Sequence, residues 1–123
     1  MGAAYYIVLE TEIDGMDTMM DGKSISRHIE ALDNAAEELG VQPLSSFFSM
    51  PPDELADFMD DTDDIELPPL KQFAAKDGLT TVKALLAHKP VHVDHVLEDL
   101  RECERILTAA AEHGVRWHFQ IDI

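Results

Sequence analysis

An α+β fold, with about four helices packed on a small sheet that includes the N-terminal and C-terminal strands, is predicted by three features of this chain. Both ends carry short apolar patterns of period two. The stretches between them carry apolar stripes at helical spacing. Breaks at Gly40, Pro90 and Gly114 separate those stripes. A length of 123 residues suits a single globular domain over 1–123. A chain of this size buries roughly two thirds of its unfolded surface, so its core needs no disulfide or metal.

Ala3 to Glu10 reads as the first strand. Tyr5, Ile7 and Leu9 share one face and Tyr6 and Val8 the other. Because both faces are apolar, the strand is expected inside the sheet rather than at its edge. Thr11 to Gly22 holds two glycines and three aspartates and reads as a loop. From Ser24, the expected N-cap, a helix is predicted through Ile25, His28, Ile29, Leu32, Ala35, Ala36 and Leu39, ending at Gly40. On that helix His28 falls on the core side.

Val41 to Ser49 carries Leu44, Phe47 and Phe48, but Pro43 argues against a central strand. Pro51 and Pro52 suit the first turn of a helix bearing Leu55, Phe58 and Met59, with Asp53 and Glu54 complementing its N-terminal dipole. Asp60 to Leu70 reads as an acidic linking loop. Asp77 is the expected cap of a helix carrying Leu79, Val82, Leu85 and Leu86, and Asp94 begins the longest one, with Val96, Leu97, Leu100, Cys103, Leu107 and Ala110 as its stripe. His113, in its last turn before Gly114, can interact with the helix C-terminus. At the end, Val115, Trp117, Phe119, Ile121 and Ile123 alternate with Arg116, His118, Gln120 and Asp122, which predicts a strand with one buried and one wet face.

Charge is the feature that most limits function. The formal net charge is −16, and between His28 and Leu70 stand twelve carboxylates with no lysine or arginine. Such a field repels nucleic-acid phosphates and anionic lipid and attracts basic protein surfaces. No nucleic acid and no membrane are therefore expected as partners. The N-terminus lacks the basic start of a signal peptide, and Tyr6 stands where a myristoylation signal needs Ser or Thr. A cytoplasmic location is expected.

Catalytic and cofactor signatures fail one by one, and no cofactor is expected. Gly22-Lys23-Ser24 resembles the end of a phosphate loop, but Asp17 stands where the required glycine would be. The acidic run from Asp60 fails as an EF-hand, with Ile65 at the sixth position and Lys71 at the twelfth. Counting from Asp61 puts Glu66 and Gln72 there. His92-Val93-Asp94-His95 resembles part of the metallo-β-lactamase motif, whose first histidine would fall on Pro90. Local metal chemistry remains open there, because His92, Asp94, His95 and Asp99 are a suitable donor set for zinc or another transition metal. The lone Cys103 falls on an apolar face, where a thiol ionises poorly.

Three stretches carry a resemblance: Tyr-Tyr-Ile-Val-Leu-Glu at the start, Glu-Leu-Gly-Val-Gln-Pro-Leu in the middle and Glu-His-Gly-Val-Arg-Trp-His near the end. They look like a group of small acidic bacterial proteins of unassigned function, and the likeness implies no catalytic residues. In charge and size the chain is also similar to immunity proteins, which neutralise basic toxins. The expectation is a non-enzymatic interaction domain that binds a basic protein through Asp53, Glu54, Asp57, Asp60, Asp61, Asp63 and Asp64. The alternative is a metal-dependent enzyme or metal-binding protein using the His/Asp set, with His118 as a further member. Carboxylates spread over every face would instead suggest adaptation to salt.

Overall fold

A computed structural model describes residues 3–53 and 69–122 of the chain. Its sheet has two antiparallel strands, β1 (Ala4–Leu9) and β2 (Trp117–Asp122), so the two terminal strands pair as the alternation predicts. Tyr5 faces Ile121, Ile7 faces Phe119 and Leu9 faces Trp117. The helices are α1 (Lys23–Arg27), α2 (Ile29–Leu39), α3 (Ala75–His88) and α4 (Asp94–Glu112), with a 3-10 turn at Leu44–Phe47. Pro52 and Asp53 are helical, while Leu55, Phe58 and Met59 of the helix expected there lie outside the described residues.

The core lies between the sheet and the helices. Tyr5, Ile7, Trp117 and Phe119 meet Ile25 and Leu32 from α1 and α2, Val82 and Leu85 from α3, and Leu100, Cys103, Ile106 and Leu107 from α4. Aromatic rings form its centre. Trp117 lies 4.8 Å from Phe119 and 5.0 Å from Phe47, centroid to centroid, and Phe119 lies 5.4 Å from Tyr5. Gly78 lets α3 approach this cluster, because a Cβ there would stand 2.3 Å from the Trp117 ring.

Expectations about local structure are corrected in two places, at the helix starts and at the sheet edges. The helix predicted from Ser24 to Gly40 is broken at His28, whose φ of −114° and ψ of 18° end α1 and begin α2. At the break the half-buried His28 ring donates from Nδ1 to the Ser24 carbonyl at 3.0 Å. The cap of α1 is also not Ser24. Gly22 occupies that position without a side-chain bond, and the amides of Ser24 and Ile25 are met from α4 by the Asp99 carboxylate at 3.1 and 3.3 Å. In α3, which begins at Ala75, Asp77 lies inside the first turn rather than capping it.

The second correction concerns the sheet edges. β1, expected inside, is an edge strand, and β2 is the flanked one. On the far side of β2, Phe48 makes a parallel bridge to Phe119 and Phe73 an antiparallel bridge to Trp117. There the Trp117 N–H donates to the Phe73 carbonyl and the Phe73 N–H to the Trp117 carbonyl, while the Ser49 N–H donates to Phe119. Among the described residues the middle of the chain thus contributes short bridges to β2 and no third strand.

Candidate functional site

The metal set expected from sequence does not assemble among the described residues, and most of the expected acidic face lies outside them. Of the acidic face, Asp53 is exposed, and Glu54, Asp57, Asp60, Asp61, Asp63 and Asp64 lie outside those residues. Of the metal set, His92, Asp94 and His95 are exposed, and His95 pairs with Glu98 at 3.4 Å. Asp99 points the other way, 6 % exposed and taken up by the α1 amides. Burial, working against hydrogen bonds from Ile25, Gly22 and Ser24, holds its carboxyl above the ordinary carboxylate value. Among the described residues no three His, Cys, Asp or Glu side chains are grouped to hold a metal ion. Cys103 is fully buried in the core, and burial pushes its thiol up, far from the ionised form a nucleophile needs.

The face of β2 expected to be wet is closed. His118 is 1 % exposed and Gln120 is buried. Tyr6 donates its hydroxyl to Gln120 Oε1 at 2.8 Å, Gln120 Nε2 meets His118 Nε2 at 2.9 Å, and His118 Nδ1 meets Gln72 Oε1 at 2.9 Å. This chain of bonds assigns a neutral ring, donating from Nδ1 and accepting at Nε2. Burial lowers the imidazole below its ordinary value of 6.5, in keeping with that neutral form. A ring so enclosed meets no dissolved substrate, and the network serves to satisfy polar groups under cover. The signal for it lay in β1: its second face, Tyr6 and Val8, is apolar and pairs opposite Gln120 and His118.

The open feature is a cleft of about 900 Å³ between β1 and the loop that follows it. It is lined from β1 by Tyr6, Ile7, Val8 and Leu9 and from the loop by Ile13, Met16, Met19 and Met20, together with Glu12 and Asp21. Met19 is 80 % exposed. Gly22 fixes where the loop rejoins the strand. It accepts a bond from the Tyr5 N–H at 3.2 Å and has a φ of 71°, and a Cβ there would lie 1.7 Å from the Tyr5 carbonyl oxygen. Only glycine suits both the left-handed backbone and the close approach.

The electrostatics of this cleft are one-sided. From Glu10 to Gly22 the chain carries Glu10, Glu12, Asp14, Asp17 and Asp21 and no cation, and all five carboxylates are exposed. Arg116 pairs with Glu10 and lowers its carboxyl below the ordinary range. Arg105 donates to the Asp17 carbonyl at 2.7 Å while pairing with Glu102. Four of the nine lysines and arginines, Lys71, Lys76, Lys83 and Lys89, fall on or beside α3 instead. No known protein family, curated protein or solved structure matches the chain. Among the described residues no helix is long and apolar enough to cross a membrane.

Proposed function

We propose that this chain is a non-enzymatic acidic interaction domain that binds a basic protein, in the manner of an immunity or inhibitor protein. One observation carries the reading. The loop beside the open cleft presents five exposed carboxylates, and among the described residues Glu10 alone of the five is in an ion pair. Unpaired surface charge of one sign accelerates encounter with an opposite field and rejects like-charged competitors. The acidic stretch from Asp53 to Asp64 adds to the chain's net negative charge. The resemblance to small acidic bacterial proteins agrees with a cytoplasmic protein of this kind.

Affinity capture from the source cells, at low and at high salt, tests the reading. The bait is the native chain beside a variant with E12Q, D14N, D17N and D21N. A basic protein held by the native chain at low salt, released at high salt and lost from the variant is the expected result. Capture indifferent to both salt and charge would overturn it.

A further inference from the structure

We infer that the open edge of β1 takes up an extended basic segment of the partner as an added β-strand, lying in the methionine-lined cleft. The inference rests on the basic-partner reading and adds the mode of recognition. In an antiparallel ladder successive residues direct their N–H and C=O alternately toward the partner strand and away from it. Glu10 donates its N–H to Arg116, so the even-numbered residues of β1 face β2 and Tyr5, Ile7 and Leu9 face outward. The Tyr5 N–H is taken by Gly22. The N–H and C=O of Ile7 and of Leu9 meet no backbone group among the described residues. They are the hydrogen-bonding template an incoming strand needs.

Sheet edges are ordinarily blunted by lysine, proline, a bulge, an inward-pointing charge or a covering loop. Among the described residues the only such device here is the loop from Thr11 to Gly22, which leaves Ile7 4 % exposed and reached through the cleft. Ala4–Leu9 carries neither proline nor charge and pairs with β2 in unbroken register. Opposite the edge stand Ile13, Met16, Met19 and Met20. Methionine is unbranched and polarizable, so such a wall adapts to varied apolar side chains. At about 3.3 Å per residue, a segment of roughly five residues spans the open part of the edge.

Charge chooses the occupant. A second copy of this chain would bring its own Glu10, Glu12, Asp14, Asp17 and Asp21 against the same five carboxylates. Its β1 has no cation to answer them. An acidic peptide meets the same repulsion. A segment alternating cationic and apolar residues suits both the carboxylates Glu12 and Asp21 and the methionines that line the cleft.

Two blocked peptides of alternating lysine and valine test the mode, one unmodified and one N-methylated at every second amide. They carry equal charge, but only the first can complete a ladder. Binding to the native chain is read by calorimetry, and amide exchange of Ile7 and Leu9 by NMR. Strand addition predicts at least tenfold weaker binding of the methylated peptide. It also predicts at least tenfold slower exchange at both amides with the unmodified one. Equal, salt-sensitive binding of both with unchanged exchange would overturn strand addition and leave the basic-partner reading standing. Failure of the unmodified peptide to bind, or a dimer that already protects Ile7 and Leu9 without peptide, would also overturn it.

Discussion

The two outer edges of this small sheet are finished in opposite ways. Beyond β2, Phe48, Ser49 and Phe73 meet the backbone of Phe119 and Trp117, and the Trp117 indole N–H reaches the Ala74 carbonyl at 3.2 Å. Beyond β1, one bond from Tyr5 to Gly22 pins the loop, and the rest of the edge opens into the cleft. The contrast separates stability from recognition. The closed edge is built of buried aromatic rings and satisfied backbone, and the other keeps, among the described residues, unpaired backbone beside adaptable side chains and exposed charge. Proteins commonly draw binding surfaces from such lightly held regions.

Substitutions can break or sharpen that contrast. The largest effect is expected at the closed edge, where Trp117→Ala removes a fully buried ring packed against Phe47 and Phe119 and should lose about 3–5 kcal/mol in chemical denaturation. Gly22→Ala, at the pin, should lose at least about 2 kcal/mol, since a left-handed backbone and a clash with Tyr5 combine. It should also weaken peptide binding in the cleft. A loss of stability near that of a surface alanine would show that the pin is not holding the loop.

Smaller still is the pH response of the covered face behind the sheet. Because the folded His118 titrates below 6.5, the unfolded chain binds the proton first as the pH falls. Its stabilising contribution is therefore complete above about pH 6.5 and declines as acid carries the pH toward the lower folded value. His118→Gln should flatten that decline when urea midpoints are measured across the range. Asp99 acts with opposite sign, since its raised carboxyl gains a proton in the folded state first and acid relieves its burial between the folded value and 3.8. Asp99→Asn should remove that acid-side gain while leaving the histidine step in place. The smallest change in stability, within about 0.5 kcal/mol, is expected for Met19→Ser at the open edge. Its effect should be read in peptide affinity, and an unaltered affinity would argue that the exposed thioether takes no part.

Much of the architecture was legible because it is written in local periods. The alternation around Tyr5, Ile7 and Leu9 and around Trp117 and Phe119 gives both strands, and Gly40 and Gly114 end their helices in left-handed conformation as expected. What could not be read depends on distant partners. The α1 amides are met by Asp99 across more than seventy residues, so an acid expected among metal donors is instead an anchor for a helix start. His118 and Gln120 read as wet because their alternation with Trp117 and Phe119 is indistinguishable from a solvated face until Tyr6 and Gln72 are brought to them. The edge position of β1 was hidden for a related reason. Its two apolar faces suggest cover on both sides, but they do not say which neighbours complete the ladder. The carboxylates Glu12, Asp14, Asp17 and Asp21 were visible as loop residues, but their place beside an open edge required the fold.

The pairing of β1 with β2 also orders events during synthesis. Tyr5 finds its cross-strand neighbour in Ile121, so β1 waits for the long intervening stretch to be made before its ladder can form. Contacts of such long sequence separation close late, after the loop entropy between them has been overcome. A ribosome-bound intermediate lacking β2 holds an apolar Tyr-Tyr-Ile-Val-Leu segment with both edges unpaired, a natural client for chaperones.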